Sequence, residues 1–166
     1  MGRKRRYGRG MQIARTGRFV FVAQWVAAVL LPLFFFFGRG FVGAELGWMA
    51  LVGIVYGILV VIVLILPPVM TLFDRTVRRG RATRLAYDVG SFVMWGSLLA
   101  AALTVPDSGD SGHLDSALTT WTGGAVTYEA SQAIFAAATV VIGLAYLAVL
   151  IVAIIGIVRW RRPFDA

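Results

Sequence analysis

The stretch LGWMALVGIVYGILVVIVLIL, from Leu46 to Leu66, carries no charged side chain and decides what kind of fold this chain adopts. A helix of about 20 residues crosses the roughly 30 Å hydrocarbon core of a membrane, and this stretch is long enough to do so. Similar apolar stretches cover about 19–37, 86–105 and 133–158. Because lipid cannot satisfy the exposed backbone groups of an open sheet, we predict helices. The sequence therefore predicts an all-α integral membrane protein, a bundle of four transmembrane helices.

The composition agrees with a membrane protein of one domain. Hydrophobic residues make up 59% of the 166-residue chain and charged residues 14%, whereas a soluble domain usually has about 25% charged residues. The predicted bundle covers 19–158. It lies between a basic tail, 1–18, and a basic carboxyl-terminal end, 159–166.

The positions of the basic residues predict the orientation. Every arginine and lysine except Arg39 falls in the two ends of the chain or in the loop between the second and third spans. Basic residues are enriched in cytoplasmic loops, so both termini and this middle loop are expected in the cytoplasm. A cleaved signal peptide ending near Val42–Gly43–Ala44 is the rival interpretation. The first apolar stretch is long for a signal core, and the cleavage site would come late.

The second external loop, 106–131, is the longest connection between predicted spans. Leu114, Leu118 and Trp121 recur there at helical spacing, and Asp110 or Ser111 could cap a short amphipathic helix. An ordinary polar loop is the alternative.

Several kinds of chemistry lack the residues that they require. There is no cysteine, His113 is the single histidine, and the single lysine, Lys4, lies in the tail. Thiolate sites, multi-histidine metal sites and a lysine Schiff base within the membrane are therefore not expected in a single chain. The motif G-x-G-x-x-G occurs at Gly38–Gly43, but it follows a predicted span rather than a strand, so we interpret it as a chance match. We predict no cofactor, no metal site and no catalytic residues.

Small residues on two spans are candidates for close helix packing. Gly53 and Gly57 lie one turn apart in the second span, and Gly96 with Ala100 offers a similar face on the third. Such pairs let another helix backbone approach, either within the chain or in another subunit. Gln24 is the strongly polar side chain deepest in the first span, and we expect it to hydrogen-bond to another helix.

Asp88 is the one carboxylate predicted near the end of a span. It falls in the first turn of the third span, where the helix dipole favours a negative charge, and Arg84 lies one turn before it. A cap and anchor is the first interpretation of Asp88. An ion or proton site is the second.

The amino-terminal tail has a dense basic run. Its residues are Arg3, Lys4, Arg5, Arg6 and Arg9. Contact with the anionic headgroups of the bilayer is the simplest role for such a run, at roughly 1 kcal/mol for each basic residue. Docking to an acidic protein surface or to a nucleic acid is the alternative.

These features favour a non-enzymatic structural or accessory subunit of a larger membrane assembly. The assembly would be a cellular complex or a membrane-containing virion, in a prokaryotic plasma membrane or a membrane derived from it. Its expected partners are other membrane-protein subunits or further copies of the same chain. The alternative is a small homo-oligomeric transporter, pore or holin-like protein.

Overall fold

The computed structural model describes residues 16–110 and 112–161, and its main elements are four long helices. They are α1 (Gly17–Phe36), α2 (Trp48–Phe73), α4 (Leu85–Thr104) and α6 (Tyr128–Arg161). All four are long and apolar enough to cross a membrane. Each helix begins and ends within about five residues of its predicted span except α2, which continues past Leu66 to Phe73.

Two consecutive prolines, Pro67 and Pro68, lie inside α2, and a neighbouring helix compensates for one of the hydrogen bonds that they remove. Proline has no N–H to donate to the carbonyl four residues earlier, so Pro67 leaves the Val63 carbonyl without its helical partner. The hydroxyl of Tyr146 on α6 donates to that carbonyl over 3.0 Å. The helix continues through the prolines to Phe73, beyond the end that hydropathy predicts.

The four helices form a bundle. α1 packs mainly against α2 and α4, α6 packs mainly against the same two helices, and Phe35 of α1 also stacks on Phe135 of α6. The interior is built from two clusters. One contains Ala28, Leu64, Met94, Leu98 and Ala145, and the other contains Val20, Tyr87, Val149 and Ala153. The small residues in both clusters allow the helix axes to approach closely.

A short helix that the sequence did not predict connects α2 to α4. This helix, α3 (Arg75–Gly80), is capped by Asp74, whose side chain accepts a hydrogen bond from the Thr76 backbone N–H at 2.9 Å. Such a cap satisfies one of the free N–H groups of the first turn. We call this side of the molecule, with residues 74–84 and the first turn of α1, the arginine-rich end.

The opposite side, which we call the hairpin end, carries the two remaining connections. A 3-10 helix covers Gly38–Val42, and two short antiparallel strands, β1 (Asp107–Gly109) and β2 (Gly112–Leu114), follow α4. The pattern of 106–131 did not predict these strands.

The short helix expected in the second connection is present but begins later than predicted. It is α5 (Ala117–Trp121), and its cap is Ser116, whose hydroxyl accepts from the Thr119 N–H at 3.2 Å. Asp110 lies in the turn between β1 and β2 and so does not cap this helix, and Ser111 lies outside the described residues. The Trp121 indole N–H donates to the Val42 carbonyl over 2.5 Å, which joins the two connections of the hairpin end.

Candidate functional site

Polar side chains in the bundle interior lie mainly between α1 and α4. The Tyr87 hydroxyl donates to Gln24 Oε1 at 2.8 Å, and Gln24 Nε2 donates to the Phe21 carbonyl at 3.0 Å. The structure therefore places Gln24 in a hydrogen bond between two helices. Gln24, Tyr87 and Ser91 also line a cavity of about 10 Å³ between α1, α2 and α4. A water molecule needs roughly that volume, so the cavity holds one water at most.

Asp88 lies at the arginine-rich end and is 1% exposed. The Thr16 hydroxyl donates to its Oδ2 at 2.7 Å, and the Thr83 hydroxyl contacts its Oδ1. Thr83 also bonds the Gly17 carbonyl, through its hydroxyl at 3.0 Å and its backbone N–H at 3.1 Å. Asp88 thus joins the beginning of α1 to the beginning of α4 through two hydroxyl groups.

The hydrogen bonds around Asp88 fit two protonation states of its carboxyl group. The Thr83 hydroxyl has one proton and two acceptors in reach, Asp88 Oδ1 and the Gly17 carbonyl. When Asp88 is charged, Thr83 donates to the carboxylate, and the Gly17 carbonyl still accepts from the Thr83 backbone. When Asp88 is protonated, it donates to Thr83, and Thr83 donates to the Gly17 carbonyl. The same heavy-atom positions therefore allow these hydrogen bonds in both protonation states of Asp88.

The expected pairing of Asp88 with Arg84 is not found. Arg84 is the residue before α4 and reaches across to the Asp74 carboxylate, with Nη2 and Oδ2 2.7 Å apart. Asp74 is 2% exposed and caps α3 at the same time. Arg84 therefore fixes the loop between α2 and α4. Among the residues that the structure describes, Asp88 forms no ion pair.

A second buried carboxylate, Asp107, lies at the hairpin end, where sequence analysis expected only loop charges. Arg39, which is 0% exposed, forms an ion pair with it. The Asp107 carboxylate also accepts from the backbone N–H groups of Gly47, Met49 and Ser108, at 2.8, 3.1 and 2.8 Å. The group joins the first connection, the beginning of α2 and the hairpin. No local pattern marks it, because Arg39 and Asp107 are 68 residues apart.

The pKa of Asp107 is lowered. Burial by itself raises the pKa of this carboxyl group, but the three backbone N–H groups and the Arg39 guanidinium favour the charged form more strongly. The Arg39 atoms Nε and Nη1 are buried and have no partner among the described residues. The ion pair therefore depends on one carboxylate to balance the whole guanidinium charge.

The glycines predicted for packing differ in what surrounds them. A Cβ built on Gly53 would lie 2.5 Å from Cβ of Phe36, so α1 and α2 approach closely there. At Gly57 the nearest atom would be Cδ2 of Phe36 at 3.8 Å, which is ordinary contact. Nothing lies within 4 Å of such an atom at Gly96, and Ala100 is half-buried. The tail residues Arg3, Lys4, Arg5, Arg6 and Arg9 lie outside the described residues.

Comparison with known proteins gives no relative: no family model, no curated protein and no solved structure matches this chain.

Proposed function

We propose that this protein is a non-enzymatic structural or accessory subunit of a larger membrane assembly. It spans a prokaryotic plasma membrane, or a viral membrane derived from one, with its arginine-rich end and both termini in the cytoplasm. The proposal places the apolar helices against other subunits and the basic surface against anionic headgroups. The basic tail adds contacts to lipid or to a partner.

The observation that carries this proposal is that the buried polar side chains bind one another and leave little space between them. Gln24 bonds Tyr87, Arg84 bonds Asp74, and Arg39 bonds Asp107. The cavity beside Gln24 has a volume of about 10 Å³, and a second cavity of the same size lies beside Asp74 and Arg84. Neither has room for a substrate. This arrangement is typical of groups that hold helices together.

The outer surface of α2 is the face on which we expect a partner. α2 contains the most apolar 18-residue stretch of the four helices, with a mean hydropathy of 3.1. Only 11% of that stretch is buried inside the bundle. Ile54 and Ile58, one turn apart, are 71% and 73% exposed. Van der Waals packing of such a surface is a main source of helix association in lipid.

Photocrosslinking from these positions tests the proposal. A photoreactive amino acid at Ile58 should give adducts of discrete mass with another membrane protein. Val140 on α6, which is 62% exposed, is the matched control and should give lipid adducts. Native mass spectrometry of the purified sample should show the same partner. Lipid adducts alone from both positions, together with a monomeric mass, would contradict the accessory role.

Asp88 favours one alternative, a small homo-oligomeric transporter. An ionisable side chain buried in a membrane-spanning helix is a common feature of ion and proton pathways, and the hydrogen bonds of Asp88 fit both of its protonation states. This hypothesis predicts Ile58 adducts between copies of the same chain. It also predicts pH-dependent flux in proteoliposomes that is lost in Asp88→Asn. Neutralising the five basic tail residues should leave that flux unchanged, whereas an accessory subunit should lose partner association.

A further inference from the structure

An apolar groove runs along the outside of the bundle between α1 and α4. The groove is open to the outside and has a volume of about 820 Å³, within the range of roughly 300–1,000 Å³ that is common for ligand sites. Residues of both helices line it, among them Phe19, Val22, Val26, Leu30, Phe92 and Trp95. The lining is apolar except at one end, where Arg18 contributes. The groove therefore suits an alkyl chain along most of its length.

One aromatic contact between the two helices and one within α4 shape the groove. The rings of Phe19 on α1 and Phe92 on α4 are stacked with centroids 6.3 Å apart, and Phe92 meets Trp95 edge to face at 5.5 Å. Such pairs contribute about 0.5–1.5 kcal/mol beyond the area that they bury. The walls are thus held in place before any ligand binds.

A basic pocket of about 580 Å³ adjoins the arginine end of this groove. Arg18 and Val22 line both spaces, and the pocket is completed by Phe21, Arg79, Gly80 and Arg81. All three arginines are exposed. Guanidinium groups bind phosphate oxygens in bidentate geometry, so three of them around one pocket provide a site for a phosphate group.

The backbone at Arg81 is an independent observation. Arg81 has φ +45°, and it is the one described residue other than glycine with a positive φ. A left-handed residue after a helix is usually glycine, yet here Gly80 lies one position earlier, inside α3. An arginine in this conformation is disfavoured, and unfavourable backbone conformations are concentrated at functional sites. Arg81 is also one of the residues that line the basic pocket.

We propose that the groove and the basic pocket together bind one anionic phospholipid. An acyl chain lies between α1 and α4, and the headgroup phosphate contacts Arg18, Arg79 and Arg81. The two parts match the two halves of the ligand, because the apolar groove opens at its arginine end into the pocket with positive charge. Neutral lipids fill the same groove but lack the net negative charge that the arginines attract. This site is separate from the basic tail and does not depend on the accessory role proposed above.

Native mass spectrometry of the full chain with added lipid tests this site. After delipidation, the protein should retain one phosphatidylglycerol more strongly than phosphatidylcholine with the same acyl chains. Arg81→Asn removes the charge and keeps a residue that tolerates a positive φ. It should weaken phosphatidylglycerol retention roughly fivefold, as should Arg18→Gln, and the pair of changes should weaken it by more than tenfold.

Two matched controls separate the site from general surface charge and from general apolar contact. Arg78→Gln removes a charge from the same helix, α3, outside the pocket, and should change retention less than twofold. Val26→Trp fills the groove and should reduce retention of both lipids, whereas Val140→Trp on α6 should not. The thermal stability of each variant shows that it is folded.

Three results would overturn the proposal. The first is equal retention of the two lipids. The second is an equal effect of Arg78→Gln and Arg81→Asn. The third is loss of the phosphatidylglycerol preference when only Arg3, Lys4, Arg5, Arg6 and Arg9 are changed to glutamine, which would assign the preference to the tail.

Discussion

Asp88 and Asp107 are both buried carboxylates, but they lie at opposite ends of the bundle in contrasting surroundings. At the hairpin end, Asp107 accepts from one guanidinium and three backbone N–H groups. At the arginine-rich end, the side-chain partners of Asp88 are two threonine hydroxyls, although several arginines are close in sequence. Backbone N–H and guanidinium groups can only donate, whereas a hydroxyl donates or accepts. Asp107 is therefore held as an anion, and Asp88 is held in a setting that accepts either form.

Removing the Asp107 carboxylate should produce the largest loss of stability. Asp107→Ala leaves the buried Arg39 charge without a counter-ion, and breaking a buried pair in this way costs about 3–5 kcal/mol. The free energy of unfolding in mixed micelles measures the loss. Asp115→Ala, at an exposed position in the same connection, should change it by less than about 0.5 kcal/mol. Similar losses for the two variants would show that the ion pair does not hold the hairpin end.

Replacing glycine by alanine tests how tightly each end of the bundle is packed. The expected losses of stability are smaller than that of Asp107→Ala. A Cβ at Gly47 would lie 2.2 Å from the Ser108 carbonyl oxygen, which is backbone. Gly47→Ala should cost about 1–3 kcal/mol. At Gly156 the nearest atom would be Asp74 Oδ2 at 2.6 Å, a more distant side-chain atom, so Gly156→Ala should cost less, although Arg84 holds that oxygen. Gly96→Ala, with nothing within 4 Å, should be neutral or slightly stabilising in the same unfolding assay. A greater loss at Gly156 than at Gly47 would reverse the comparison.

Asp88→Asn should have a modest effect, because an amide accepts from one hydroxyl and donates to the other. We expect a loss of about 0.5–1.5 kcal/mol, the range of one net hydrogen bond. Thermal unfolding in detergent, beside Asp107→Ala, provides the measurement. A loss as large as that of Asp107→Ala would mean that Asp88 must be charged, and the two-state interpretation of its hydrogen bonds would then be wrong.

The last expected effect is confined to strongly acidic solution, where the charge of Asp107 at the hairpin end is lost. The folded pKa of Asp107 is below its ordinary value of 3.8, so its contribution to stability is fully present above that value. As the pH falls through 3.8 and then through the folded pKa, the contribution is lost. The stability of the wild type minus that of Asp107→Asn, measured from neutral pH downward, should shrink only in this acidic range. A difference that shrinks already near neutral pH would contradict the lowered pKa.

Hydropathy was sufficient to predict the helices, since an uninterrupted apolar stretch has few other stable structures. It placed α4 within one residue at each end, as 86–105 against Leu85–Thr104. It missed the last turns of α2, because the effect of Pro67 and Pro68 depends on a hydroxyl from another helix. The strands of the hairpin were missed as well, since three residues are too few to show a period.

The polar site was harder to predict than the fold. The sequence singled out Asp88 and Gln24 because polar residues are rare in apolar stretches. It paired Asp88 with Arg84 on local spacing, whereas the structure pairs Arg84 with Asp74. Arg39 was counted only as a loop charge, because its partner is distant along the chain. The spacing of residues along the sequence predicts which side chains are neighbours on one helix. It does not predict contacts between loops that are far apart in the chain.

The hydrogen bond from Tyr146 to the Val63 carbonyl has a mechanical consequence. Two adjacent prolines interrupt the hydrogen-bond ladder of α2, so this helix is weakest against bending at that level. The Tyr146 hydroxyl on α6 bonds α2 at this weak point, and interhelical hydrogen bonds of this kind average about 0.6 kcal/mol. Loss of this bond should let the last turns of α2 bend more easily relative to the rest of the helix. Faster hydrogen exchange in Tyr146→Phe, confined to residues 64–80, would demonstrate this bending of α2.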